Sequence, residues 1–269
     1  MEDKPQPATK PIKIIVENVP SVDVARYYLE VEFSNIFKDP TTNEVSEAIV
    51  KTIQELPTNK IWALLEAISF TFRLNGVFYI IGRDSYTWNE EIWHVKDLIL
   101  TGMDSRANKV IFSDKVNGDS LKFKNYLLNY FEKADDSDPE GLLSYKPSGK
   151  KMVFEKLLMK EQDGKIHILD GSHRLTEMLL ADKEEVVAYV GHPNTREAEK
   201  HPIARVGSSI FILLTILFKK GNTGERKAVL TVLKQLVNNS VDGSENAIKY
   251  WIDRQRDSEI KEAGESILK

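Results

Sequence analysis

Six consecutive residues concentrate the reactive groups of this chain: Asp170-Gly171-Ser172-His173-Arg174-Leu175. A carboxylate, a hydroxyl, an imidazole and a guanidinium surround one glycine there. The short segment Ile166–Leu169, apolar except for His167, leads in, and Leu175, Met178 and Leu179 follow at helical spacing. This pattern predicts a strand, a glycine turn and a helix. Gly171 lets the backbone bend and approach a ligand closely. The first turn of the following helix carries unpaired N–H groups and the positive end of the helix dipole. Ser172 adds a hydroxyl, and His173 and Arg174 add donors and positive charge. In outline this is a phosphate cradle. The plainer reading is an ordinary strand-to-helix turn, with Arg174 paired to Asp170 or Glu177 at the surface.

Phosphoryl transfer asks for positive groups on the phosphates, usually Mg²⁺, and a base that orients the nucleophile. The backbone of Gly171, Ser172 and His173 would hold a nucleotide phosphate. Arg174 would neutralise it through a two-pronged contact. His173 would donate to a phosphate oxygen or act as an acid; otherwise it is a satisfied structural imidazole. Asp170 would hold Mg²⁺ or act as the base; otherwise it is a turn or cap carboxylate. Upstream, Glu140 or Asp138 is a candidate catalytic acid or base, although the run Asp135–Gly141 reads first as a solvated linker. Lys150 and Lys151 precede the first core strand and read as surface lysines that could reach a phosphate. Glu177 reads as an i,i+3 partner of Arg174. His94, His192 and His201 lack metal-ligand spacing and read as structural or exposed.

These residues need elements to position them. Met152–Lys160 reads as a strand, Asp163-Gly164 as its turn and Ile166–Leu169 as the returning strand. His173–Ala181 is the helix, and Val186–Val190 is another strand. Before them, Ile12–Val16 is a short strand. Val22–Phe37 is a helix whose end is ambiguous, because Leu29, Val31 and Phe33 also alternate like a strand. Val45–Leu56 is a helix ended by Pro57, and a further helix runs to about Ser69. The run Phe70–Ile81 reads as a hairpin about Asn75-Gly76. Arg83–Asp119 is mixed and Leu121–Phe131 is an amphipathic helix. Pro193–Pro202 is a polar connector. Helices follow over about Ile203–Lys219, Glu225–Val237 and Ser244–Leu268.

The chain has 269 residues, 41% hydrophobic and 29% charged, with a formal net charge of −4. It has enough apolar material for a sizeable core. The charge excludes a chain-wide electrostatic grip on nucleic acid, although Lys219, Lys220, Arg226 and Lys227 form a local basic cluster that could touch DNA. There are no cysteines, which excludes disulfides, thiolate metal sites and thiol catalysis. Met1–Pro11 reads as a disordered tail with no apolar signal region, so a cytoplasmic location is expected. The most apolar run, Ile210–Phe218, is too short to span a bilayer, so no membrane partner is expected.

The segment Lys165–Leu175, with the preceding hairpin strand and with Val186-Val187-Ala188-Tyr189-Val190 after it, resembles the ParB/sulfiredoxin superfamily. The resemblance covers about Leu121–Gly191. It implies an α/β (α+β) fold with a ParB/sulfiredoxin-like core over 119–192. A tail at 1–11, an N-terminal α/β region at 12–118 and a C-terminal helical region at 193–269 would flank it. Within the superfamily, sulfiredoxins place their catalytic cysteine where Ser172 stands, so sulfinic-acid reduction is excluded. Partition ParB proteins usually carry Gly-Glu-Arg-Arg, bind CTP and continue into a helix-turn-helix that is not evident after Gly191. Free-serine kinases carry Asp-Gly-His-His-Arg, and proteins linked to DNA modification carry Asp-Gly-Gln-His-Arg. Each differs from Asp170–Arg174 at one position. The resemblance therefore implies a nucleotide-binding protein that hydrolyses or transfers a phosphate of ATP or a similar NTP with Mg²⁺. The rival expectations are a DNA-associated protein with a nucleotide switch or nuclease activity, and an inactive binding or scaffold protein. A homodimer remains open.

Overall fold

The computed structural model describes residues 10–36, 47–71, 80–82, 86–133, 138–147, 154–194, 213, 223–238, 244–254 and 258–269. In chain order the elements are β1 (Lys13–Val19), α1 (Ser21–Ile36), α2 (Glu47–Glu55), α3 (Thr58–Thr71), β2 (Tyr86–His94), α4 (Val95–Gly102), α5 (Ser105–Ile111) and α6 (Ser120–Lys133). A 3-10 turn (Leu143–Tyr145), β3 (Leu157–Gln162), β4 (Lys165–Asp170), α7 (Ser172–Leu180), β5 (Glu185–Pro193), α8 (Thr223–Asn238), α9 (Ser244–Ile252) and α10 (Ser258–Ile267) follow. The fold class is mixed α/β. The chain forms two compact units, one from Met1–Val19 and Tyr86–Thr195, the other from Pro20–Ser85 and Arg196–Lys269. The crossing at Thr195–Arg196 lies in the polar connector expected over Pro193–Pro202, close to the expected boundary at 192, whereas the boundary expected at 118 falls inside the first unit. The reason is pairing: β1 and β2 lie in the same sheet as β3, β4 and β5, so the sheet draws residues from both sides of position 118.

The first unit is built on a five-stranded sheet of order β1-β2-β5-β3-β4. β3 and β5 are parallel neighbours and the other pairs are antiparallel. β2 and β5 pair without a break from Tyr86↔Pro193 to His94↔Glu185. Alternation sets the inner face: Val186, Ala188 and Val190 of β5, with Leu157 and Met159 of β3, are buried against Leu98 and Ile99 of α4, Phe123 and Leu127 of α6, and Leu175 and Met178 of α7. β1 is an edge strand, shifted in register beside β2 at two places. Its Ile14, Ile15 and Val16 are more than two-fifths exposed.

Among the described residues the second unit is helical. α1 settles the ambiguity over 29–33 in favour of helix. Ala25, Tyr28 and Leu29 form one buried stripe, and Phe33 joins it four residues on. Arg26 of α1 closes the end of α2, donating to the carbonyls of Ile53 at 2.6 Å, Gln54 at 3.0 Å and Leu56 at 2.9 Å. Carbonyls at the C-terminal end of a helix have no N–H of a following turn to pair with.

Several expectations need correction. The hairpin expected over Phe70–Ile81 is contradicted at both ends, where Phe70, Thr71, Ile80 and Ile81 are helical; residues 72–79 lie outside the described set. Helix α3 carries its apolar pattern through Thr71, which outweighs the local turn signal. The strand expected from Met152 begins at Leu157, and Phe154–Lys156 have no regular structure. The single helix expected over Ser244–Leu268 is two helices, α9 and α10. Within the mixed stretch 83–119, β2, α4 and α5 had no separate assignment. β2 hides because Asn89 and Glu91 occupy inward positions, next to Trp93, where apolar residues would have marked the alternation. Of the apolar run Ile210–Phe218 only Leu213 is described, helical and buried. Among the described residues no helix is long and apolar enough to cross a membrane.

Candidate functional site

The hairpin β3–β4 turns on Asp163 and Gly164, with φ of 54° and 71°. Two successive positive φ values match the twist of a two-residue hairpin. β4 then delivers Asp170 to Gly171, whose φ of 108° lies in the left-handed region and which opens α7. A Cβ at Gly171 would stand 2.6 Å from Leu157 Cδ2 and 3.1 Å from Arg174 Nη2. Both backbone conformation and packing therefore require glycine here. No side chain caps α7. The Gly171 carbonyl accepts from the Leu175 N–H at 2.8 Å. The N–H groups of Ser172 and His173 have no hydrogen-bond partner among the described residues. Buried Leu175, Thr176 and Met178 seat the helix, and the Thr176 hydroxyl donates back to the Ser172 carbonyl at 3.0 Å.

The charged side chains of the motif are engaged with the protein itself. The Arg174 guanidinium lies across Gly171, with only 14% of its side chain exposed. It forms an ion pair with Asp170 Oδ2 and donates to the Lys156 carbonyl at 2.7 Å. The plainer sequence reading of Arg174 is thus realised with Asp170, not with Glu177. His173 stands 2.8 Å from the Ser144 carbonyl through Nδ1, and its ring stacks on Tyr145 at 4.7 Å between centroids. A carbonyl only accepts, so Nδ1 carries the proton and Nε2 is the atom left for a ligand. In the neutral ring Nε2 accepts a hydrogen bond. It donates to a phosphate only as imidazolium.

Tyr145 extends this contact inward. Its hydroxyl bonds to Asp104 Oδ2, and Asp104 caps α5 by accepting from the amides of Arg106 at 2.9 Å and Ala107 at 3.0 Å. Burial raises the Tyr145 phenol well above its usual range, and Asp104 adds to the effect. Burial also pushes the Asp104 carboxyl upward. The Tyr145 hydroxyl, the two amides and the Arg106 charge outweigh it and hold the carboxyl low.

Glu140 and Asp138 are not part of a solvated linker. Tyr126 and Tyr130, one turn apart on α6, reach them. The Tyr126 hydroxyl lies 2.7 Å from both carboxylate oxygens of Glu140, and the Tyr130 hydroxyl donates to Asp138 at 2.7 Å. Asp138 also accepts from the amides of Leu142 and Leu143. Burial, and then Glu140, push the Tyr126 phenol up to about 12. Both acids line a cleft with Arg106, Lys109 and Lys115. Asp170, Ser172, His173 and Arg174 do not line it, so the expected catalytic group Glu140 belongs to a different surface from the motif.

Among the described residues no group of three His, Cys, Asp or Glu side chains could hold a metal ion. Asp170 is one carboxylate whose Oδ2 is taken by Arg174, so it fits a Mg²⁺ that arrives with phosphate oxygens rather than a resident metal. His94 lines a second cleft, beside Lys124 and Asp182. His192 is structural, and richly so. Its Nε2 lies 2.7 Å from Glu91, its Nδ1 lies 2.8 Å from Glu161, and the Trp93 indole donates to Glu91 at 2.9 Å. Sequence spacing could not reveal this group, because its members come from three strands. Lys150, Lys151, His201, Lys219 and Lys220 lie outside the described residues, as do the side chains of Arg226 and Lys227. No protein family, curated protein or solved structure matches the chain.

Proposed function

We propose that the start of α7 binds a phosphate of ATP or a similar nucleotide, on a core of ParB/sulfiredoxin type formed by β3, β4, α7 and β5. The observation that carries this reading is the glycine-opened, uncapped helix start, where the Ser172 and His173 amides have no partner among the described residues. Amides in that position, with the helix dipole behind them, favour an anion. Arg174 contributes positive charge from its fixed place over Gly171, and its hold on Asp170 keeps the turn in shape. His173 faces the ligand through Nε2. Mg²⁺, when bound with the nucleotide, would neutralise phosphate charge, and Asp170 would hold it. Hydrolysis or transfer of the terminal phosphate is the chemistry proposed for this arrangement. We place the protein in the cytoplasm on its cysteine-free composition.

The test is MgATP binding by wild type and Ser172→Asp. An aspartate in the first turn suits the helix dipole and preserves folding, while its charge repels phosphate. Affinity should fall about tenfold or more, with the melting temperature unchanged or raised. Equal affinity in the two proteins would falsify the reading.

One observation favours a second reading, a scaffold without nucleotide. Arg174 and His173 are already bonded to Asp170, the Lys156 carbonyl and the Ser144 carbonyl. On that reading the motif is a fastening for β3, β4, α7 and the 3-10 turn. Wild type would then bind no nucleotide, and Arg174→Ala would lower stability alone.

A further inference from the structure

The cleft of about 560 Å³ beside α5 is separate from the start of α7, and its lining is unevenly satisfied. Arg106, Lys109, Val110 and Ser113 recur at i, i+3, i+4 and i+7, so α5 and the turn after it turn one face toward the cleft. Lys115 joins them, with its ammonium 5.7 Å from the centre of the Tyr126 ring. Across the cleft stand Tyr126, Asp138 and Glu140. Both carboxylates already have internal partners: Asp138 has Tyr130 and two backbone amides, and Glu140 has Tyr126. The cations are less well matched. Arg106 meets Asp104 only at 3.4 Å, on an exposed surface. Lys109 and Lys115 have no carboxylate within ion-pair distance among the described residues. The Arg106 stem also crosses Gly141, where a Cβ would stand 3.1 Å from its Cδ and where φ is 68°. The loop thus gives up a side chain at the spot where the guanidinium lies.

We propose that this cleft is a second anion site, which takes a compact polyanion of the phosphate class between the α5 cations and Lys115. An arginine fork presents paired donors to phosphate oxygens, and two lysines beside it act as point charges. The volume suits a small charged molecule. The carboxylates across the cleft serve to fix the loop 138–143, which forms the far wall. This proposal does not depend on nucleotide binding at α7.

Titration calorimetry with inorganic pyrophosphate at low salt tests it, with wild type, Lys109→Gln/Lys115→Gln, and Lys51→Gln/Lys249→Gln as a control for general surface charge. Pyrophosphate affinity should fall about tenfold in Lys109→Gln/Lys115→Gln, and for wild type it should fall as salt is added. The control should keep wild-type affinity; Ser172→Asp serves in the MgATP titration alone. Absence of binding to wild type overturns the site. So does wild-type affinity in Lys109→Gln/Lys115→Gln, or an equal fall in the control. A parallel titration with MgATP separates the two proposals. If MgATP binding survives Ser172→Asp but weakens in Lys109→Gln/Lys115→Gln, the cleft stands and the reading of α7 falls.

Discussion

Glu91 is fully buried on the inner face of a β-sheet, a placement that costs several kcal/mol for an unpaired carboxylate. Its two oxygens meet His192, Asn89 and the Trp93 indole. Glu91 above all, and Glu161 with it, hold the His192 ring up at about 9 against the opposing pull of burial. A group whose folded value is raised stabilises the protein fully below its ordinary value near 6.5. It loses that contribution as pH climbs to about 9. His192→Gln should therefore cost roughly 2 kcal/mol at pH 6, and the gap to wild type should narrow by pH 9.5. Urea unfolding at the two pH values measures this; an equal loss at both would remove the imidazolium charge from the explanation. Gly171 shows the opposite economy, since a side chain there would meet both an unfavourable φ and the Leu157 methyl.

Short elements here are held by side chains from their neighbours. Helix α5 has seven residues and is preceded by Asp104, which caps it and also receives the Tyr145 hydroxyl. Tyr145 in turn stacks under His173. One carboxylate thus ties α5, the 3-10 turn and the start of α7 together. Asp104→Ala should cost about 1–3 kcal/mol, because a cap is lost and a buried phenol is left without its acceptor. Thermal unfolding gives the magnitude. Circular dichroism of the folded variant should show little loss of helix outside α5, and a wide loss would contradict a local role. The loop 138–143 was legible in the sequence only as an acidic run. Its order comes from Tyr126 and Tyr130, whose i,i+4 spacing on α6 says nothing about the partners they will find.

At the scale of the whole molecule, the first unit closes on itself only after the chain has made a long excursion, since the 66 residues from Pro20 to Ser85 separate β1 from its partner β2. β5 is flanked on both sides, by β2 and by β3, whereas β1 has one neighbour, an irregular register and exposed isoleucines. Amide hydrogen exchange should follow this order, slowest in Val186–Val190 and fastest among the strands in β1. Protection of β1 equal to that of β5 would mean that a further contact covers the edge. Of the three crossings between the units, only that at Thr195–Arg196 was readable from composition, in the polar connector Pro193–Pro202; no linker of distinct character marks those at Val19–Pro20 and at Ser85–Tyr86.

Local chemistry alone determined the hairpin at Asp163-Gly164, the glycine that opens α7 and the helices whose apolar stripes are regular, because each depends on residues a few positions apart. It also determined that no thiol chemistry is open to this chain. Tertiary structure decided what the charged residues do. Arg174 could have faced solvent, Glu177 or a ligand, and the proximity of Asp170 and the Lys156 carbonyl turned it inward. Glu140 could have stood by the motif, and α6 drew it to Tyr126 instead. The carboxylate inside β2 finds the imidazole that partners it in His192 on the neighbouring strand, 101 residues further along the chain. A charge is tolerated or excluded according to the partners within a few ångströms of it, and those partners are fixed by the fold rather than by neighbours in sequence.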